Sequence, residues 1–178
     1  EEYLDGSWLL IVFAGNDTTR NTLSGAMKLF TEHPDQRDKL KGDISLLPNA
    51  VHEITRMISP VIYMKRIATE DVAVGGQRIA EGEKVIMWYG AANRDASVFA
   101  DPDRFDIARA NADKNIAFGY GPHICIGRLA AQVQLEESYR QIFARFPDIR
   151  MDGDYDVAPN NFVHGIRRLE VAFTPERG

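Results

Sequence analysis

Cysteine is almost missing: one thiol, Cys125, stands in 178 residues, which excludes an internal disulfide and suits a reducing compartment such as the cytoplasm. Four scattered histidines and that one cysteine provide no zinc spacing. Basic runs are also missing, and a net charge of −5 with a pI near 5.4 argues against a nucleic-acid surface. The longest early apolar run, residues 8–15, is far too short to span a bilayer and is preceded by acidic rather than basic residues, so neither a membrane anchor nor a signal peptide is read. The chain carries no phosphate-binding glycine loop, internal repeat, low-complexity tract or linker. It has no initiator methionine and opens on Glu1-Glu2-Tyr3-Leu4 already in helical register, the pattern of a piece of a longer protein. What remains is ordinary for a soluble globular domain: 44% hydrophobic and 26% charged residues, enough to bury a core.

Leu4, Trp8, Ile11, Val12, Leu23, Met27 and Phe30 fall at helical spacing, which predicts a helix ending near Glu32 at His33-Pro34. Its middle, Ala14-Gly15-Asn16-Asp17-Thr18-Thr19, holds poor helix formers. Threonine hydroxyls there can bond back to a carbonyl one turn earlier, which predicts a local widening. The apolar residues on both sides argue against a solvated surface patch. Residues 34–40 read as a short polar helix and 46–58 as a more apolar one carrying Glu53-x-x-Arg56. At i,i+3 that pair shares a face, and if exposed it contributes only about 0.2–0.5 kcal/mol.

From 61 to 89 the character is β. Strands at 72–74 and 78–79 flank the hairpin signal Gly75-Gly76, residues 84–88 form another, and 61–68 is a candidate carrying Lys65 and Arg66. Residues 93–116, rich in Asp, Arg, Asn and Pro, read as irregular. Short β pieces are expected near Ile149 and over 169–173.

Between these stands Phe118-Gly119-Tyr120-Gly121-Pro122-His123-Ile124-Cys125-Ile126-Gly127. Three glycines, a proline and an aromatic around one thiol describe a tight, rigid turn that lets the backbone approach something closely. Helical spacing resumes at Ala131, Leu135, Tyr139, Ile142, Phe143 and Phe146, which puts Cys125 at a helix N-terminus, where unpaired N–H groups and the helix dipole favour a charged sulfur. A lone cysteine can also be a small buried hydrophobe, or a nucleophile partnered by His123.

The ten residues resemble the haem-binding loop of the cytochrome P450 family of haem-thiolate monooxygenases. The resemblance covers nearly the whole chain, as one partial domain, and implies a mainly α fold with small β-sheets (α+β), the C-terminal portion of the family's fold from its long central helix onward. It implies haem b as cofactor, with Cys125 as the axial metal ligand that pushes electron density toward O–O cleavage. His123 and Arg66 would hold the propionates, and Phe118, Gly119, Gly127 and Ala14 would line the ring. Asp17 and Thr18 would be the catalytic acid-alcohol pair that relays protons to dioxygen, while Glu53 and Arg56, completed by Arg104 of Asp101-Pro102-Asp103-Arg104-Phe105, would form a buried structural charge cluster. One departure is Ala130, five residues after the cysteine, where the family often has Leu.

The sequence holds no flavin or iron–sulfur motif. The resemblance therefore implies electrons drawn from NAD(P)H through a separate reductase and a ferredoxin or flavodoxin, with Lys114, Arg128 and Arg145 as a candidate docking patch. Asn16 with Arg20-Asn21, Met87-Trp88-Tyr89 and Asn161-Phe162-Val163-His164-Gly165 look like bacterial enzymes that hydroxylate alkane, fatty-acid or other lipid chain ends. The implied substrate is a hydrophobic small molecule, and the piece alone, lacking most of the pocket, is expected to be inactive. The alternatives are a haem-binding remnant without catalysis and a Cys/His hydrolase.

Overall fold

Proline sets where two of the helices begin. Pro34 opens α2 (Pro34–Gly42) directly after α1 (Glu2–Glu32), and Pro48 occupies the first turn of α3 (Leu47–Ile58), positions where the missing N–H costs nothing. The computed structural model describes residues 2–175; Glu1, included in the helical pattern, lies outside them. After α3 come β1 (Tyr63–Ile67), β2 (Val72–Val74), β3 (Gln77–Ile79), β4 (Lys84–Trp88) and the one-turn α4 (Tyr89–Ala92). A long irregular stretch leads to α5 (Arg128–Arg145), and β5 (Arg150–Ala158) and β6 (Gly165–Ala172) close the chain. The expected class, helices with small sheets, is the one observed. Each sheet is an antiparallel pair: β1 with β4, β2 with β3, β5 with β6. Gly75 and Gly76 both take positive φ, 57° and 80°, as a two-residue hairpin of this hand requires.

The core forms where α1, α3 and α5 meet. Phe30 is fully buried and meets Phe105, Tyr139 and Phe143 edge-on at centroid distances of 5.7, 5.4 and 5.3 Å. Gly25 lets α1 and α3 close on each other, because a Cβ there would lie 2.6 Å from Ile58 Cδ1. Two side-chain bonds pin the last sheet to α1: the Met151 N–H donates to Thr31 Oγ1 (2.8 Å) and the Ile166 N–H to Asn21 Oδ1 (3.2 Å). That sheet is longer than the short β pieces read from the sequence, with register shifts between Met151 and Tyr155 and between Asp156 and Val157. Those irregularities interrupt the period-two pattern by which a strand is recognised.

Two expectations for α1 need correction. The helix runs without a break through residues 14–19. Thr18 Oγ1 does donate to the Ala14 carbonyl (2.7 Å) and Thr22 Oγ1 to the Thr18 carbonyl (2.7 Å). A carbonyl has two lone pairs, so the hydroxyl bond adds to the helical one without displacing it. The N-terminal half is also exposed, Trp8, Leu9, Leu10 and Phe13 included, whereas Ala26, Met27, Leu29 and Phe30 are buried. No described residue covers that apolar half.

Tyr139 couples the helix that follows the cysteine loop to the helix that carries Asp17 and Thr18. Its hydroxyl donates to the Leu23 carbonyl at 2.6 Å, and burial pushes the phenol well above its ordinary pKa, so it stays a donor. Tyr139→Phe should cost about 1 kcal/mol in chemical denaturation near neutral pH. In the parent, stability should fall as pH rises above about 10, where only the unfolded chain ionises. The phenylalanine variant should lose that alkaline limb of the stability-against-pH curve.

Candidate functional site

Residues 116–128 fold back on themselves through main-chain bonds. The Gly119 N–H donates to the Ile116 carbonyl (2.8 Å), the Ile124 N–H to the Gly121 carbonyl (3.0 Å) and the Cys125 N–H to the Phe118 carbonyl (2.8 Å). Gly119 sits at φ +75°, a left-handed conformation that glycine adopts without strain. Pro122 stiffens the single 3-10 turn Gly121–His123. Cys125 emerges exposed, which removes the reading of a small buried hydrophobe. It lies just ahead of α5 rather than in its first turn: Gly127 is the N-cap, and the Cys125 carbonyl accepts from the Arg128 N–H (3.3 Å). No hydrogen bond joins His123 to Cys125 among the described residues, so the pairing a Cys/His hydrolase needs is not formed.

The surroundings suit a flat apolar group bound through one sulfur. Ile124 and Ile126 flank Cys125 in the chain and are exposed, as are Leu129 and Val133, a helical turn apart on α5. Phe118, half-buried, supplies an aromatic edge. No cluster of three or more His, Cys, Asp or Glu able to hold a bare metal ion occurs among the described residues. One soft ligand flanked in the chain by apolar residues therefore fits an iron porphyrin better than a free cation.

Of the other predicted residues, His123 is exposed in the loop itself. Arg66 lies on β1 opposite Val85, exposed, with its guanidinium donating to the Lys65 carbonyl at 2.9 Å. Asp17 is half-buried on α1 and paired with Arg20 at 2.9 Å, next to Thr18, whose hydroxyl is turned to the carbonyl of exposed Ala14. The loop thus brings Phe118, Gly119, His123, Cys125 and Gly127 together. No hydrogen bond links Arg66, Asp17 or Thr18 to it among the described residues.

Glu53 and Arg56 are not the exposed helix pair that a bare i,i+3 motif would allow, since both side chains are fully buried. Arg56 grips the carboxylate with two bonds, Nε to Oε2 at 2.7 Å and Nη2 to Oε1 at 2.9 Å. The third member is Arg109, not Arg104. Arg109 Nε reaches both Glu53 oxygens at 3.1 and 3.2 Å. The Arg104 side chain is 64% exposed, near Asp106, and only its backbone carbonyl faces inward, accepting from Arg56 and Arg109. Arg104 closes a turn that begins at Asp101 (φ 45°), its N–H donating to the Asp101 carbonyl (3.0 Å). Phe105, Ile107 and Arg109 are all buried, but the segment runs through turns and forms no strand, so no local period marks Arg109. Asn93, fully buried at the end of α4, was also missed, and nothing in its local sequence marks it.

The family described as Cytochrome P450 matches residues 2–153. The chain is 42% identical over 169 residues to a steroid C26-monooxygenase of Mycolicibacterium smegmatis, covering 94% of this chain and 42% of that protein. It is 38% identical to a methyl-branched lipid omega-hydroxylase of Mycobacterium tuberculosis, over 94% of this chain and 39% of that protein. The solved structure of cytochrome P450-153 from Novosphingobium aromaticivorans superposes with a TM-score of 0.90 at 43% identity, over 95% of this chain and 43% of that one. The chain therefore spans less than half the length of these relatives.

Removing Arg109 strands a buried carboxylate beside a single guanidinium, whereas Arg104 offers the cluster only its carbonyl. Arg109→Ala should cost about 3–5 kcal/mol in denaturant unfolding. Arg104→Ala should stay within about 0.5 kcal/mol of the parent.

Proposed function

The chain belongs to the cytochrome P450 family, and from that premise we propose that it is the haem-bearing C-terminal part of a monooxygenase that places one oxygen atom of O2 on a hydrophobic substrate. The observation that carries this reading is the exposed Cys125, its backbone held by its N–H on the Phe118 carbonyl and flanked in the chain by exposed Ile124 and Ile126. Haem b, once bound, supplies the iron at which dioxygen is activated.

The protein's share is to hold and to deliver. Cys125 Sγ donates the single soft ligand. Phe118 would offer the ring an aromatic edge and Gly119, Gly127 and Ala14 small-residue contacts, and the exposed His123 and Arg66 would offer N–H groups to its carboxylates. Thr18 Oγ1 keeps two lone pairs while it donates to Ala14, so it can accept a proton from water and pass on its own by rotating away from that carbonyl. The Asp17 carboxylate beside it, half-buried and steadied by Arg20, links the hydroxyl to solvent.

The relatives named for steroid and methyl-branched lipid oxidation support a long apolar substrate, and the bare apolar half of α1 supports a chain that is inactive alone. Electrons come from NAD(P)H through a reductase and a ferredoxin or flavodoxin. Exposed Lys114 and Arg128, close to the loop in sequence, attract an acidic carrier together with Arg145. The working compartment is the cytoplasm, in keeping with a free thiol.

In the complete protein with its redox partners, isotopically labelled O2 should leave one labelled atom in the product. Thr18→Ala should bind haem and substrate normally and keep oxidising NAD(P)H, with product per NAD(P)H down at least about tenfold and hydrogen peroxide in its place. Label entering from water instead would exclude a monooxygenase. An unchanged ratio would remove Thr18 from the relay.

A further inference from the structure

Asn93 joins the buried ion cluster to the cysteine loop. It is fully buried, and its carbonyl, Nδ2 and Oδ1 bridge the end of α3 to the entry of the cysteine loop, while its N–H closes α4 on the Tyr89 carbonyl (2.9 Å). Its carbonyl accepts from Arg56 Nη1 (2.7 Å), its Nδ2 donates to Ser59 Oγ (2.8 Å), and its Oδ1 accepts from the Ile116 N–H (2.8 Å). The amide can face only this way. Ser59 Oγ spends its own proton on the Arg56 carbonyl (3.0 Å) and must accept from Asn93, while Ile116 presents an N–H that needs an acceptor. From Ile116 the path continues through its carbonyl to the Gly119 N–H, and the adjoining Phe118 carbonyl takes the Cys125 N–H, each at 2.8 Å.

We infer that Asn93 is a positioning residue for Cys125: its side-chain oxygen fixes where the chain enters the loop, and so where the sulfur stands. The inference rests on Cys125 being the haem ligand. Any residue could offer the backbone carbonyl that Arg56 uses. Only a side chain with a donor and an acceptor on one planar fork can hold Ser59 and Ile116 at once, and ligand geometry tolerates little play.

The test uses the complete haem-loaded protein and two variants. Asn93→Ala frees the Ile116 N–H. Ser59→Ala removes the partner of Asn93 Nδ2 but leaves Oδ1 on Ile116, which makes it the control for a merely structural loss. At conditions matched for global stability, amide exchange at Ile116 and haem transfer to excess apomyoglobin should both be about tenfold faster in Asn93→Ala than in Ser59→Ala. Equal rates in the two variants would overturn the positioning role. If Asn93→Ala does not fold, Asn93→Asp retains an acceptor for the Ile116 N–H. That amide should then stay protected as in the parent, and its loss of protection would overturn the proposal. A parent protein that takes up no haem would defeat the ligand reading alone, because the exchange comparison still decides whether Asn93 holds the loop.

Discussion

A carboxylate with no solvent exposure must be matched by charge and hydrogen bonds, and Glu53 imposes that demand on everything from residue 93 to residue 109. Two guanidiniums answer it, which leaves an excess of donors. Those are taken up by backbone carbonyls: Asn93, Pro102 and Arg104 serve Arg56, while Ala100, Asp101 and Arg104 serve Arg109. Carbonyls turned inward toward two guanidiniums do not line up along a helix axis or across a sheet, although each can still take a second bond, as Asp101 does from the Arg104 N–H (3.0 Å). The irregularity of the stretch follows from what it binds, and its far end delivers Ile116 to the cysteine loop. The cluster's guanidiniums bond Glu53 and backbone carbonyls of residues 93–104, and through Asn93 the cluster connects to the Ile116 N–H at the entry of the cysteine loop.

Where local chemistry dictates a conformation, the sequence is legible. The Gly75-Gly76 hairpin needs two positive φ values and α2 begins at a proline, so both are legible in the residue types alone. The cysteine loop was legible as a rigid turn, and the resemblance its pattern carried agrees with the family match over residues 2–153.

Legibility fails where side-chain direction depends on a chain of turns. Arg104 and Arg109 sit in separate turns, closed by the Arg104 N–H on the Asp101 carbonyl and the Arg109 N–H on the Asp106 carbonyl, and no helix or strand period runs through both. Helical periodicity likewise states which face of α1 needs cover, not whether this chain supplies it; the C-terminal half of the helix is buried and residues 8–13 are bare. The widening expected at Thr18 failed for another reason, since a threonine hydroxyl can share a carbonyl with the helix instead of competing for it.

The central claim is that Cys125 ligates a haem iron through a thiolate, and the reduced carbon monoxide spectrum of the complete protein tests it most directly. The parent should show the red-shifted Soret band of a thiolate-bound haem, and Cys125→Ala should lose that band whether or not haem remains. A parent spectrum without the shift, or a shifted band that survives in Cys125→Ala, would contradict the account.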